Sequence, residues 1–114
     1  MSLNKVMPRI VIADSQQLVA CGLHATLRSH GMDQVVGNAR NEEELFEVMD
    51  HFSPELVILD FVAEGFTVET IVKLKSRGRV RILALTDAQR GSTLVHALRA
   101  GVDGYVKKDC DLQE

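Results

Sequence analysis

The sequence predicts an α/β fold in which helices cover both faces of a five-stranded parallel sheet. Apolar runs typical of buried strands occur five times along the chain, at 10–13, 35–37, 56–59, 82–85 and 105–106. Amphipathic helical patterns separate these runs, and strands that alternate with helices favour a parallel sheet with right-handed crossovers. Gly31, Gly78 and Gly101 each follow a helical segment, where glycine accepts the left-handed conformation that ends a helix. Five such strands in about a hundred residues predict the doubly wound, flavodoxin-like strand order 2-1-3-4-5.

The second helix has the clearest helical pattern. Its apolar residues recur at spacings of three and four and predict a stripe that faces the core; they are Leu45, Val48, Met49 and Phe52. Asn41, followed three residues later by Glu44, predicts a capping box at the start of this helix. Similar core-facing stripes are predicted for the first helix (Val19, Leu23, Leu27), the third (Val68, Ile71, Val72) and the fourth (Leu94, Val95, Leu98).

Length and composition indicate one ordinary globular domain. The chain has 114 residues, of which 46% are hydrophobic and 25% charged, and its net charge is −3. Its only basic cluster is Arg77, Arg79 and Arg81, which argues against nucleic acid as this domain's own ligand. No apolar stretch approaches the length of a membrane span. Cys21 and Cys110 show no metal-binding spacing, so we expect a cytoplasmic protein with reduced cysteines.

The two ends of the chain carry separate expectations. Residues 1–8 are expected to be disordered or a cloning remnant, and residues 9–114 to form the domain. After the fifth strand, residues 111–114 have the composition of a capped helix start without a helix body. We therefore expect the fifth helix to be absent or truncated and the natural protein to continue, since the sheet face without it would expose an apolar patch.

Polar side chains follow four of the predicted strands. Asp14 follows the first, Asp60 the third, Thr86 the fourth and Lys108 the fifth. In an open parallel α/β sheet, ligands bind outside the carboxyl ends of the strands, so these groups are expected to converge. Two carboxylates can hold a hard cation such as Mg²⁺, while a hydroxyl and an ammonium can bind an oxyanion. The set suits phosphoryl transfer to an aspartate, although Asp14 and Asp60 could also be helix caps.

With these residues in register, the chain resembles the receiver domain of a two-component response regulator, a CheY-like fold. It is most similar to the NarL/LuxR-type subfamily. The matching stretches are Ile-Val-Ile-Ala-Asp at 10–14, Pro-Glu-Leu-Val-Ile-Leu-Asp at 54–60, Ile-Leu-Ala-Leu-Thr at 82–86 and Ala-Gly-Val-Asp-Gly-Tyr-Val-Lys-Lys-Asp at 100–109.

The resemblance implies a role for each residue that handles the phosphoryl group. Asp60 is implied to be the phosphoacceptor, which takes a phosphoryl group from a sensor histidine kinase. Thr86 is implied to hydrogen-bond that group and Lys108 to pair with it. Tyr105, together with Thr86, is implied to be the switch that responds to phosphorylation.

The resemblance also implies an Mg²⁺ site formed by Asp14, Asp60 and the backbone carbonyl of Val62. The family usually has a second acid directly after the first strand, where this chain has Ser15, a neutral and poorer ligand. We therefore expect Mg²⁺ to bind weakly.

Further departures flank the site. The His-Pro typical of the subfamily is replaced by Gln16-Gln17, and the usual Met-Pro-Gly after the phosphoacceptor by Ala-Glu-Gly at 63–65. Asp87 stands where a small residue is usual, and its charge could oppose that of the phosphoryl group.

A signalling module that is not an enzyme is the first functional hypothesis. The resemblance implies a homodimer, formed through helix 4, strand 5 and helix 5 or through helices 1 and 5. It implies DNA binding only through an output domain beyond residue 114, and no membrane contact. A pseudo-receiver that mediates protein interactions without phosphorylation is the alternative. A phosphatase of the haloacid type is disfavoured, because Val62 stands where such an enzyme needs a second acid.

Overall fold

A computed structural model describes residues 8–32, 34–60, 66–86 and 91–107 of the chain. Strands and helices alternate throughout this part, as the sequence predicts. The strands are β1 (Ile10–Ala13), β2 (Val35–Ala39), β3 (Leu56–Asp60), β4 (Arg81–Thr86) and β5 (Gly104–Lys107). The helices are α1 (Gln17–Ser29), α2 (Glu42–Phe52), α3 (Val68–Ser76) and α4 (Gly91–Ala100).

The five strands form one parallel sheet in the order β2-β1-β3-β4-β5. The predicted fold class and strand order are therefore confirmed. Four of the strands extend one or two residues beyond the apolar runs that predicted them, because ladder pairing continues to residues outside those runs. The third strand, for example, includes Asp60.

Alternation along the strands divides the core between the two faces of the sheet. One face packs against residues of α2, α3 and α4 in a single buried cluster; its strand residues are Val11, Ala13, Ala39, Val57, Leu59, Ile82 and Ala84. Leu45 of α2 and Ile71 of α3 are fully buried in this cluster. On the opposite face, Ile10, Ile12 and Ile58 are also buried. Since the central strands are buried on both faces, they appear in the sequence as continuous apolar runs.

Several of the predicted helix stripes are wrong in detail. Val72 of α3 is 52% exposed, and Val95 and Leu98 of α4 are 45% and 47% exposed. Phe52, predicted to be core, is 48% exposed at the end of α2. Among residues 95–100 of α4, Ala97 is buried, and its small side chain lets the helix pack closely, while the side chain of Leu94 lies outside the described part.

The structure also refines the predictions for the buried face of α1 and for the N-terminus of α2. In α1 the buried residue is Ala20, and the predicted stripe of Val19, Leu23 and Leu27 is only half-buried. In α2 the side chain of Asn41 accepts a hydrogen bond from Glu44 N–H at 2.9 Å, as a capping box requires. The Glu44 carboxylate accepts a hydrogen bond from Arg40 N–H at 2.9 Å, one residue before the N-cap N–H that a capping box uses.

Gly31, Gly78 and Gly101 adopt positive φ angles of 80°, 123° and 115°, which confirms their predicted conformation. No helix in the described part of the chain has the length and apolar character needed to span a bilayer. The predictions for residues 1–7, for the truncated fifth helix and for Cys110 lie outside the described residues.

Candidate functional site at the carboxyl edge of the sheet

Asp14 and Asp60 follow paired residues of adjacent strands. Ala13 and Leu59 are partners in the β1–β3 ladder, and each aspartate is the next residue along its chain. Both aspartates are almost completely buried, with 1% and 3% of their surfaces exposed. Carboxyl groups are seldom buried at a protein surface edge without a specific role, so two of them at neighbouring strand ends mark a candidate functional site.

The hydrogen bonds of Asp14 argue against the alternative that Asp14 caps α1. Its Oδ1 accepts a hydrogen bond from Gln16 N–H at 2.8 Å, a local turn two residues long. The cap position of α1 is Gln16, so Asp14 precedes the helix without being its cap residue. Its own N–H donates to Ala39 O at 2.9 Å, which ties the end of β1 to the end of β2.

Thr86 and Tyr105 lie on the strands beyond Asp60. Asp60 pairs with Leu85 in the β3–β4 ladder, so the backbone of Thr86 is one step past that pair. Thr86 in turn pairs with Lys107 in the β4–β5 ladder. Tyr105 is 44% exposed and lies at the surface.

The remaining predicted site residues are either exposed or beyond the described part. Ser15 is exposed at the start of the turn into α1. Lys108, Val62, the Ala-Glu-Gly segment at 63–65 and Asp87 lie outside the described residues, so their predicted roles stay predictions.

The described residues supply only some of the ligands that a divalent cation needs. Asp14 and Asp60 supply buried carboxylate oxygens from adjacent strand ends, which are the ligands that Mg²⁺ prefers. Within the described ranges, no group of three His, Cys, Asp or Glu side chains is arranged to hold a metal. The pair supplies two of the oxygen ligands that a hard cation requires.

Arg40 and Glu44 are neighbours of the site that sequence reasoning did not connect to it. Both line a cavity of about 470 Å³ together with Asp14, Gln17 and Asn38. Arg40 Nη2 lies 3.0 Å from Glu44 Oε2, and this hydrogen-bonded pairing raises the pKa of Arg40. Hydrogen bonds from the Arg40 side chain and then from its backbone N–H hold the pKa of Glu44 below its ordinary value. The spacing of four residues between Arg40 and Glu44 is the sequence signal for this pair.

Comparison with known proteins adds sequence and fold relatives. The family model described as the response regulator receiver domain matches residues 10–114. The transcriptional regulatory protein LnrK of Bacillus subtilis is 31% identical over 90% of this chain and 48% of its own length. The nitrate/nitrite response regulator protein NarL of Escherichia coli is 27% identical over 97% of this chain and 52% of its own length. The chain therefore spans about half the length of these curated relatives.

Solved structures give the same picture of the fold. The signal receiver domain of NarL from Mycobacterium tuberculosis superposes with a TM-score of 0.85 at 23% identity, covering 96% of this chain and 90% of that one. A LuxR-family two-component response regulator from Aurantimonas sp. SI85-9A1 gives a TM-score of 0.84 at 25% identity, covering 96% of this chain and 79% of that one.

Proposed function

The chain belongs to the family of response regulator receiver domains of the NarL/LuxR type, and we propose that Asp60 is its phosphoacceptor. The observation that carries the proposal is the burial of Asp60 and Asp14 at neighbouring ends of paired strands. A carboxylate in this position is shielded from bulk water yet lies at the edge where ligands of parallel α/β sheets bind. The family resemblance inferred from the sequence is confirmed by these matches.

The proposed reaction is a phosphoryl transfer from a phosphohistidine of a sensor kinase. An oxygen of the Asp60 carboxylate attacks phosphorus, the P–N bond to the histidine breaks, and the imidazole leaves with the bonding electron pair and takes up a proton. The product is an acyl phosphate on Asp60. Since the chain accepts a group without releasing a transformed substrate, we propose that it is not a turnover enzyme.

Positioning and charge neutralisation supply most of the catalysis in such transfers. We assign hydrogen bonding of the phosphoryl oxygens to Thr86 and charge pairing to Lys108. Position 107 pairs with Thr86 in the ladder, one step past the pair formed by Asp60 and Leu85. We assign the charge pairing to Lys108 rather than to Lys107 because Lys108 is the residue that matches the lysine of the family motif.

Mg²⁺ is the proposed cofactor, and when bound it neutralises charge on the carboxylates and the phosphoryl oxygens. Asp14 and Asp60 hold it through carboxylate oxygens and Val62 through its backbone carbonyl. Ser15 contributes a neutral oxygen at most, so the affinity is lower than in a site with a third acid.

The signalling consequence is a shift between two conformations of the segments around Thr86 and Tyr105. The exposed position of Tyr105 is compatible with a side chain that turns inward when the phosphoryl group is added. The partners proposed for the whole protein are a sensor histidine kinase, a second copy of the chain bound through helix 4 and strand 5 or through helix 1, and DNA contacted by an output domain. We propose that the protein acts in the cytoplasm.

Intact-mass analysis after incubation with acetyl phosphate and Mg²⁺ tests the phosphoacceptor. We expect one phosphoryl adduct on the unaltered chain and none on Asp60→Asn. Asp50→Asn, which changes an exposed aspartate of α2, is the matched control and should keep the adduct. An unaltered chain that takes up no phosphoryl group would instead favour an interaction module that works without phosphorylation.

A further inference from the structure

One peptide group connects Glu44 to the backbone of Asp14. The carbonyl of Ala39 accepts a hydrogen bond from Asp14 N–H at 2.9 Å. The N–H of Arg40, at the other end of the same peptide group, donates to Glu44 Oε1 at 2.9 Å. The carboxylate of Glu44 and the end of β1 are therefore linked through a single planar unit.

Glu44 is itself held in place by three groups. Its N–H donates to Asn41 Oδ1 at 2.9 Å. Its carboxylate receives Arg40 Nη2 at 3.0 Å and Arg40 Nε at 3.4 Å. Because these bonds also keep the pKa of Glu44 low, the group that faces the Arg40 N–H at neutral pH is a carboxylate.

When a charged group accepts a hydrogen bond from a peptide N–H, it also strengthens the hydrogen bond that the carbonyl of the same peptide group accepts. Hydrogen bonds to ionised groups are roughly twice as strong as those between neutral groups. Bonds in a chain polarise one another, so a carboxylate on the N–H side makes the carbonyl a better acceptor. Ala39 is fully buried, and this low-dielectric setting strengthens the effect at the bond to Asp14 N–H.

We propose that Glu44 is a positioning residue for Asp14, acting through the Ala39–Arg40 peptide group to fix the end of β1 beside Asp60. The consequence for Mg²⁺ binding rests on the proposed function, but the positioning itself does not. In this assignment Glu44 helps to position the acidic site, in addition to its local role in the first turn of α2.

Amide hydrogen exchange of the ¹⁵N-labelled chain, followed by NMR without metal or phosphoryl donor, tests the link directly. In Glu44→Gln, which keeps an oxygen acceptor but loses the charge, we expect the Asp14 amide to exchange on the order of threefold faster. The Arg40 amide resonance should shift in the same variant. Glu43→Gln removes an equal charge from the first turn of α2 at an exposed position and should leave both amides unchanged.

Arg40→Met separates the two halves of the Arg40–Glu44 interaction. It removes the guanidinium but keeps the backbone N–H that carries the proposed link, so it should accelerate Asp14 exchange less than Glu44→Gln does. Two results would overturn the proposal: an Asp14 amide that does not respond to Glu44→Gln, or one that responds equally to Glu43→Gln.

Calorimetric titration with Mg²⁺ tests the consequence for the site. Groups that support metal ligands typically change affinity by about 10- to 100-fold, and the indirect route here places Glu44→Ala near tenfold weaker binding. Glu44→Gln should have a smaller effect and Glu43→Gln none. Unchanged Mg²⁺ affinity in Glu44→Ala, with Asp14 exchange accelerated, would refute the consequence for the metal. A chain that is not phosphorylated at all would refute the proposed function while leaving the exchange result intact.

Discussion

The Asp103 carboxylate joins three parts of the fold, and its removal should cost measurable stability. Asp103 lies between α4 and β5, and its Oδ2 accepts hydrogen bonds from Ile82 N–H at 2.8 Å and from Lys75 Nζ at 2.9 Å. Lys75 Nζ also donates to Val80 O at 3.0 Å. One carboxylate oxygen thereby connects the end of α3, the start of β4 and the approach to β5.

The two bonds of Asp103 contribute unequally. Ile82 is fully buried, so its N–H would lose its acceptor in Asp103→Ala at a cost of about 1–3 kcal/mol. The ion pair with Lys75 adds only about 0–1 kcal/mol, because the two side chains are 30% and 43% exposed. We therefore expect Asp103→Ala to lower the free energy of unfolding by about 2 kcal/mol. Asp103→Asn, which keeps an oxygen for Ile82 N–H, should cost about 1 kcal/mol.

Lowering the pH should remove part of the stability that the Asp103 carboxylate contributes to the fold. Burial raises the pKa of Asp103, but hydrogen bonds from Lys75 and from Ile82 N–H, with the charges of Lys75 and Arg81, outweigh burial and leave the pKa lowered. A carboxyl whose pKa is lower in the folded state stabilises the fold above its unfolded pKa of about 4. That stabilisation is lost as the pH falls through the lower folded value. The cost of Asp103→Asn should therefore shrink as the pH falls below about 4.

Urea unfolding at neutral and acidic pH measures these differences. A double-mutant cycle with Lys75→Met isolates the ion pair. Asp50→Asn, which removes a similarly exposed ion pair with Arg77, serves as the control for losing a surface ion pair alone. Asp103→Ala costing less than about 0.5 kcal/mol would show that the Ile82 N–H finds another acceptor. Asp103→Asn as costly as Asp103→Ala would show that the charge, and not the acceptor, stabilises this junction.

Two further substitutions have sharp expected outcomes. Ser15→Asp should bind Mg²⁺ roughly tenfold more tightly by calorimetry because it adds a charged oxygen ligand, and equal affinity would mean that Ser15 does not face the metal. Gly101→Ala should lower the free energy of unfolding by about 1–2 kcal/mol because its φ is 115° and an added Cβ would lie 3.3 Å from Lys75 Cγ. Gly78→Ala has a similar φ of 123° but no atom within 4 Å of the added Cβ, so the difference between the two costs isolates that contact, and identical costs would exclude it.

The sheet was predictable because its signals are local and repeated. Strands buried on both faces must be apolar at every position, which marks them without any knowledge of their partners. Positive φ at helix ends favours glycine, and Gly31, Gly78 and Gly101 mark those ends in the sequence. Parallel pairing of alternating strands then fixes the order of the sheet and brings Asp14 beside Asp60.

The orientation of α3 and α4 was not predictable from apolar residues alone. Both helices carry apolar residues on more than one face, since Val72 of α3 and Leu98 of α4 are exposed, so the pattern permits more than one buried face. In α3 the buried set is Thr70, Ile71 and Leu74, and it includes a polar residue. Thr70 can be buried because its Oγ1 accepts a hydrogen bond from Thr67 N–H at 3.1 Å. That bond depends on local backbone geometry, which hydrophobic periodicity does not register.

The hydrogen bond between Glu44 and Arg40 N–H also could not be predicted from residue spacing within one helix. The capping rule correctly predicts that Asn41 accepts from Glu44 N–H, but it treats the Glu44 carboxylate as a purely local group. In the structure that carboxylate binds the N–H of Arg40, whose peptide group also bonds to Asp14. The connection crosses from the second strand to the first, so it depends on the β1–β2 pairing and could not be found from spacing within α2.

The two buried carboxylates of Asp14 and Asp60 determine what a neutral residue at position 15 does to stability and to Mg²⁺ binding. Asp14 and Asp60 are buried at neighbouring strand ends, where an additional like charge would be unfavourable. A third acid would add such a charge and would raise the affinity for Mg²⁺. We expect a neutral residue at position 15 to leave the metal-free domain more stable than an acid at that position would. We therefore expect Ser15→Asp to bind Mg²⁺ more tightly and, without metal, to have a lower free energy of unfolding.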